Sequence, residues 1–166
     1  TPFEGKKDFT VSEGTSTTKE LLAFNDRVAP FNDPKVRRAV YSAVDRKKLL
    51  DSVWAGHGKL IGSMVPPTDP WYDAILLAEA GLAKGFTFTL LTPNYDPHPQ
   101  VAEFLKSELA KVGITVDIKV ITADQWYSTV FKERDFQATL QEHVNDRDVV
   151  WYGNPDFYWG YDNVDV

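Results

Sequence analysis

The residues of this chain that could do chemistry are few and scattered. Three histidines occur, His57, His98 and His143, in separate segments and without the i, i+4 spacing of a zinc-binding helix. The sequence contains neither the glycine-rich loops of nucleotide-binding proteins nor the GxSxG motif of serine hydrolases. It contains no cysteine, which excludes disulfides and thiolate chemistry. The sequence therefore predicts neither a metal site nor a cofactor.

Three patterns of polar and aromatic residues are candidates for binding. Asp146 and Asp148 alternate as in a calcium loop, but the glycine and the later glutamate of such a loop are missing, which favours a solvated turn. Arg37 and Arg38 either hold an anion or lie on a helix surface with their stems on the core. The end of the chain is rich in aromatic residues, which either line a ligand or pack across the sheet: Trp151, Tyr152, Phe157, Tyr158, Trp159 and Tyr161.

Size and charge limit the classes of protein that this chain can represent. Its 166 residues suit one domain or one lobe of a larger protein. The 24 acidic residues outnumber the 18 basic ones and give a net charge of −6, which disfavours binding to nucleic acid. No apolar run approaches the roughly 18 residues of a membrane span, and residues 1–7 lack the apolar core of a signal peptide. We expect a soluble chain, either intracellular or already processed.

Local signals in the first half predict a strand and a pair of helices. The apolar run at residues 21–24 favours a strand. Asp33 is a good N-cap and Pro34 a good first helical residue, so a helix is expected there. Asp45 predicts the start of a second helix, which Gly56 can end in the left-handed conformation. The segments that follow are predicted to be an irregular loop at 56–70 and a short helix at 74–80.

The second half of the chain predicts alternating strands and helices. Alternating apolar residues are typical of strands, and an apolar stripe at helical spacing is typical of helices. Thr122 and Gln125 form a capping box, which indicates the start of a helix. The predicted strands are 86–90, 114–120 and 136–140, and the predicted helices are 101–112 and 122–134. Two successive crossovers of this kind predict an α/β fold with a mixed, partly parallel sheet.

Several motifs, in a fixed order, resemble those of one protein family. Residues 22–46 contain LAFN, then APFNDPKVRRAV, then AVDR. Farther along come LAEAG at 77–81, GFTFTL at 85–90 and LAKVGITV at 109–116. In this order the motifs are similar to those of the extracytoplasmic solute-binding proteins of the dipeptide, oligopeptide and nickel class, known as family 5. Several ordered motifs in one chain are far more specific than any single motif.

The resemblance implies both a fold and a function. The fold would be a lobe of the periplasmic-binding-protein type II (cluster C) class, with a mixed sheet and βαβ crossovers. Since family members are much longer, residues 1–166 are interpreted as a single lobe, the second, of a two-lobed receptor. Such a receptor is not an enzyme: it captures di- or oligopeptides between its lobes and delivers them to ABC transporter permease subunits, in the periplasm or outside the cell. It would meet the membrane only through the permease or a lipid anchor outside this chain.

The resemblance also implies where a ligand binds. In oligopeptide binders, an aspartate that follows the last strand, three residues beyond a tryptophan, meets the ammonium group of the peptide. Asp146 stands at the position of the aspartate and His143 at that of the tryptophan. A buried ammonium needs such a carboxylate with good hydrogen-bond geometry. The other residues expected at the site or in the walls of the cleft are Asn145, Trp151, Tyr152 and Met64.

Three alternatives stay open at the level of the sequence. A receptor of the same class can bind an oligosaccharide, an opine or a nickel chelate, and the aromatic end of the chain suits stacking on a sugar. A carboxylate-dependent hydrolase is a remote alternative, because two carboxylates can act as general acid and base. The lobe can also serve as a sensory or protein-interaction module without transport.

Overall fold

One four-stranded sheet organises the described part of the chain. The computed structural model describes residues 3–12, 14, 16, 18–60, 80–144, 151 and 153–162. The strands are β1 (Lys19–Phe24), β2 (Thr87–Pro93), β3 (Thr115–Ile121) and β4 (Ala138–His143). The helices are α1 (Pro34–Ala43), α2 (Arg46–Trp54), α3 (His98–Ala110) and α4 (Ala123–Trp126), and a π-helical segment, Tyr127–Lys132, continues α4. The predicted α/β class with a mixed sheet is confirmed.

The strand order in the sheet is β1-β4-β2-β3. β2 runs parallel to β3 and to β4, whereas β1 runs antiparallel to β4. The carboxyl ends of the three parallel strands therefore lie together, and we call this side of the sheet the carboxyl end. Because β1 is antiparallel, its first residue, Lys19, also lies there, paired with His143, the last residue of β4.

The helix pair begins where the sequence predicts. The side chain of Asp33 accepts a hydrogen bond from the Lys35 amide at 2.8 Å, and Pro34 is the first residue of α1. Asp45 caps α2 in the same way, accepting from the Lys48 amide at 2.9 Å. At the end of α2 the left-handed conformation begins one residue earlier than expected, at Ala55 with φ 51°, and continues at Gly56.

A close backbone contact fixes the start of the βαβ unit formed by β2, α3 and β3. Gly85 precedes β2 and has φ 78°. A Cβ atom at this position would lie 1.9 Å from the carbonyl oxygen of Gly113, the residue that ends the turn after α3. Only glycine lets the two chain segments approach in this way. The contact places β2 and β3 side by side, with Thr87 paired to Thr115.

The face of the sheet that α1, α2 and α3 cover carries the larger apolar core, and we call it the helical face. Its buried members alternate along the strands and repeat at helical spacing along the helices. They are Phe31, Val36, Ala39, Val40, Val44, Phe88, Leu90, Val101, Ala102, Leu105, Leu109, Ile114, Val116, Ala138 and Leu140.

The opposite face packs against α4, its π-helical continuation and residues 157–161, and we call it the tail face. Its buried cluster contains Ala23, Leu91, Trp126, Val130, Phe136, Tyr158 and Trp159. Directed hydrogen bonds tie this cluster to the sheet. The Trp126 indole donates to Thr139 Oγ1 at 2.8 Å, and the Thr139 hydroxyl donates to the Leu91 carbonyl oxygen at 2.9 Å.

Two predicted elements differ from the structure. The capping box of Thr122 and Gln125 forms, but the helix that it starts is α-helical only to Trp126 and continues as π-helix to Lys132. The strand predicted at 136–140 lies at Ala138–His143, because the chain first closes the π-helix through a left-handed residue, Arg134, with φ 58°. The predicted helix at 74–80 and most of the predicted loop at 56–70 lie outside the described residues.

Candidate ligand-binding site

The carboxyl end of the sheet is the place where the topology favours a ligand. In open α/β sheets, ligands bind beyond the carboxyl ends of the parallel strands. His143 is the last residue of the central strand β4, so its side chain lies at this end. The predicted ligand residues Asn145 and Asp146 follow it directly in the chain. They lie outside the described residues, as do Tyr152 and Met64.

The ring of His143 is held by aromatic residues of the tail face. Its Nε2 atom lies 3.0 Å from the Tyr158 hydroxyl, within hydrogen-bond distance. The imidazole stacks on the Trp159 indole, with centroids 5.5 Å apart and an angle of 27° between the planes. The Phe157 ring lies 6.1 Å away at a steep angle. These contacts fix the orientation of a half-buried histidine at the end of the sheet.

The backbone that presents these rings is itself held by two arginines. The guanidinium group of Arg27 donates to the Pro155 carbonyl oxygen, and that of Arg134 donates to the Asp156 carbonyl oxygen. The amide of Asp26 donates to the Trp159 carbonyl oxygen at 2.8 Å. Residues 155–159 are therefore fastened to the loop after β1 and to the turn before β4.

Trp151 extends the aromatic surface toward solvent. Its side chain is 45% exposed, and its ring lies 5.6 Å from that of Phe157. Since Phe157 also contacts His143, one ring links both predicted ligand residues that the structure describes. An exposed indole beside a fixed imidazole offers a flat, partly apolar surface that can also form hydrogen bonds. This surface suits a small organic ligand with apolar groups.

Arg37 supports the loop before α1 and is not free to bind an anion. Its Nε atom lies 3.5 Å from Asp26 Oδ1, and its Nη1 atom donates to the Phe31 carbonyl oxygen at 2.6 Å. Burial raises the pKa of Asp26, and the guanidinium groups of Arg37 and Arg27 oppose that rise. The neighbouring Arg38 is exposed on α1. Of the two interpretations of this pair, the structure favours structural support for Arg37.

Sequence reasoning missed the residues that position His143. The sequence marks Tyr158 and Trp159 only as part of an aromatic-rich end of the chain, and it carries no local signal for Arg27 or Arg134. Their link to His143 depends on the fold, because Arg27 lies more than 120 residues before the carbonyl that it contacts, Pro155. The density of aromatic residues at the end of the chain was the available signal.

Comparison with known proteins identifies the family of this chain. A model of the family described as bacterial extracellular solute-binding proteins, family 5 Middle, matches residues 1–163. The glutathione-binding protein GsiB of Escherichia coli K12 is 31% identical over 138 residues, which is 75% of this chain and 27% of GsiB. The chain thus spans less than a third of the length of this relative.

Solved structures share the fold. A dipeptide-binding protein from Pseudoalteromonas sp. SM9913, in complex with Met-Leu, superposes with a TM-score of 0.73 at 27% identity, covering 87% of this chain and 32% of that one. The oligopeptide-binding protein AppA of Bacillus subtilis, in complex with a nonapeptide, has a TM-score of 0.72 at 20% identity, covering 92% of this chain and 38% of AppA.

Within the described ranges, every helix falls short of the length and apolarity needed to cross a membrane. The matched family model covers nearly the whole sequence, including the ordered motifs of the first half and the β4 strand that carries His143. This chain belongs to family 5 of the bacterial extracellular solute-binding proteins.

Proposed function

We propose that this chain is one lobe of the substrate-binding component of an ABC importer, and that the receptor captures di- or oligopeptides between two lobes. The arrangement at the carboxyl end of the sheet carries the proposal: a fixed His143 and an exposed Trp151 directly flank the segment that contains Asp146. Relatives named for glutathione, a dipeptide and an oligopeptide support a peptide as the ligand. Residues 1–166 would supply one wall of the cleft.

Within this proposal, Asp146 is the partner of the peptide ammonium group. A buried ammonium loses its hydration and needs a charge-assisted hydrogen bond in return. Asn145, Tyr152 and Met64 complete the wall together with His143 and Trp151. Side-chain selectivity is expected to be low, because water can complete the hydrogen bonds of varied peptide side chains.

The receptor would retain its ligand without turning it over and hand it to permease subunits outside the cytoplasm. No resident cofactor is needed for this task, because the free energy of closing two lobes on a ligand comes from binding alone. Membrane contact would come from the permease or from a lipid anchor outside this chain.

The decisive experiment begins with native mass spectrometry of the complete receptor, followed by identification of the small molecules that co-purify. A ladder of peptide masses is the expected result. A single sugar, opine or metal chelate would overturn the peptide assignment, and a ligand released in chemically altered form would indicate an enzyme.

Calorimetry with one identified peptide then tests Asp146. The Asp146→Asn variant should bind at least about a hundredfold more weakly, because it leaves a buried ammonium without its charge partner. Asp148→Asn, which removes the same charge two residues away, is the matched control and should bind as the parent does. Equal affinities of the Asp146→Asn variant and the parent would remove Asp146 from the site.

A further inference from the structure

A second polar cluster lies at the carboxyl end of the sheet, on the helical face. Glu20 of β1 and Glu142 of β4 are directly paired across the antiparallel ladder. Tyr95 follows β2, and His98 is the first residue of α3. The cluster occupies the same end of the sheet as His143 but the other face, because Glu142 and His143 are neighbours in a strand and point to opposite sides.

Glu20 and His98 face each other without a hydrogen bond. His98 is fully buried, and its Nδ1 lies 3.1 Å from the Tyr95 carbonyl oxygen. A carbonyl can only accept, so Nδ1 carries the proton, and a neutral ring presents the Nε2 lone pair to Glu20 Oε2 at 3.5 Å. Both Glu20 oxygens and His98 Nε2 are buried and have no hydrogen-bond partner. One proton held between the two groups would give Glu20 Oε2 and His98 Nε2 a hydrogen bond.

The surroundings of Glu20 oppose a negative charge. Its side chain is 16% exposed, and burial, followed by the charge of Glu142, raises its pKa to about 8. The groups that face it are Glu142 from β4, His98 from α3 and Tyr95 from the loop after β2. The pKa of Tyr95 is raised too, by burial and then by Glu142, while a hydrogen bond with Gln141 opposes that rise. Glu20 and Tyr95 therefore both favour their protonated forms.

We propose that Glu20 and His98 form a proton-operated latch between β1 and α3, which keeps β1 paired with β4 while the pair holds a proton and loosens that pairing when the proton is lost. When the proton leaves to solvent, Glu20 becomes a buried carboxylate directly across from the Glu142 carboxylate. Like charges directly opposite in a ladder destabilise the pairing, and a buried unpaired charge adds a desolvation cost. Lys19 and His143 form the last pair of this ladder, so opening can begin there without unfolding the rest of the sheet.

The latch goes beyond ligand capture and is independent of ligand identity. Its effect reaches the candidate site through one residue, because His143 follows Glu142 directly. A more alkaline medium would loosen the end of the strand that presents His143, and a more acidic one would hold it in place.

Amide hydrogen exchange of the full chain tests the latch. Rates are measured at pH 6, 7, 8 and 9 and corrected for the intrinsic pH dependence of exchange, with β3 amides as an internal reference. The opening equilibrium of amides in residues 19–22 and 140–143 should rise at least about tenfold from pH 6 to pH 8. The Glu20→Gln variant, which cannot ionise, should lose this rise.

The matched control is Glu103→Gln, which removes an exposed carboxylate of α3 and should keep the full rise. Glu142→Gln removes only the opposing charge and should reduce it. The proposal is overturned if the parent shows no rise at these amides beyond that of β3, or if Glu20→Gln retains it. If Glu20→Gln fails to fold, an unchanged rise in Glu142→Gln overturns the proposal by itself.

Discussion

The two faces of the sheet are built in different ways. On the helical face, aliphatic and phenylalanine side chains from three helices pack on the sheet, and three phenylalanine rings lie within 6.0 Å of Phe31. On the tail face, an aromatic cluster is held by hydrogen bonds that Trp126 and two arginines donate and by the contact of the Tyr158 hydroxyl with His143. The helical face is stabilised mainly by the apolar area that it buries. The tail face is stabilised mainly by hydrogen bonds and ring contacts, which require specific distances and angles.

This difference separates stability from binding. Apolar packing has no preferred direction, so it holds the fold without fixing any single polar group. Hydrogen bonds and stacked rings have narrow geometry, and they are the contacts that orient His143. The smaller core, on the tail face, therefore contains the rings that contact His143, and the larger core lies on the opposite face of the sheet.

The largest expected effect on the free energy of unfolding comes from a substitution on the helical face. Replacing Phe31 with alanine should lower the free energy of unfolding by about 3–5 kcal/mol, because a fully buried ring leaves a cavity. Urea denaturation followed by circular dichroism measures it. Phe131→Ala, at a ring of the π-helical segment that is 39% exposed, is the control and should cost much less. Equal losses in the two variants would contradict the comparison of the faces.

An intermediate effect should come from Glu20, the buried carboxyl group of the helical face. Burial and the charge of Glu142 raise its pKa from the ordinary value of 4.5 to about 8, so the folded chain binds more protons than the unfolded chain between these values. The stabilisation is thus fully present below about pH 4.5 and is lost as the pH rises through about 8. The free energy of unfolding should fall by roughly 3.5 kcal/mol from pH 5 to pH 8.

Urea titrations at several pH values measure this dependence. Glu20→Gln should flatten it and raise stability at pH 8, since an amide is neutral throughout. A parent protein that is equally stable at pH 5 and pH 8 would show that Glu20 is not a source of pH dependence.

The smallest expected effect comes from the tail face. Tyr158→Phe removes the hydroxyl that lies 3.0 Å from His143 Nε2 and should cost about 1 kcal/mol. Its clearer signature is local: the ¹⁵N chemical shift of His143 Nε2 should move, while helical-face methyl signals stay in place. Tyr127→Phe, at a 51% exposed tyrosine, is the matched control. An unchanged His143 spectrum would mean that Tyr158 does not orient this ring.

Local sequence signals predicted much of the fold. The sequence predicts Asp33 and Asp45 as N-caps, and both form the expected side-chain hydrogen bonds. The alternating residues of 86–90 and 114–120 predicted β2 and β3, apart from shifts of a few residues at their ends. Such signals succeed because a cap or an alternation involves neighbours in the chain, whose geometry the backbone already restricts.

The prediction of secondary structure is less accurate where tertiary packing competes with the local conformational preference of the chain. The capping box at Thr122 gives no hint that its helix turns into a π-helix at Tyr127. The same segment delays β4, so that the strand ends at His143 and not at Leu140. Contacts of Trp126 with Thr139 and of Val130 with the tail face favour this arrangement, and neither is visible as a local pattern.

For the site, the sequence placed His143 and Trp151 in one region through the family resemblance and an aromatic-rich segment. It gave no sign that Glu20, His98 and Glu142 meet, because they come from three elements spread over more than 120 residues. Caps, alternation and glycine turns are properties of short segments, so the sequence by itself determined the elements and their order. The strand order decided which side chains share the carboxyl end, since only folding brings distant segments within reach of hydrogen bonds and charges.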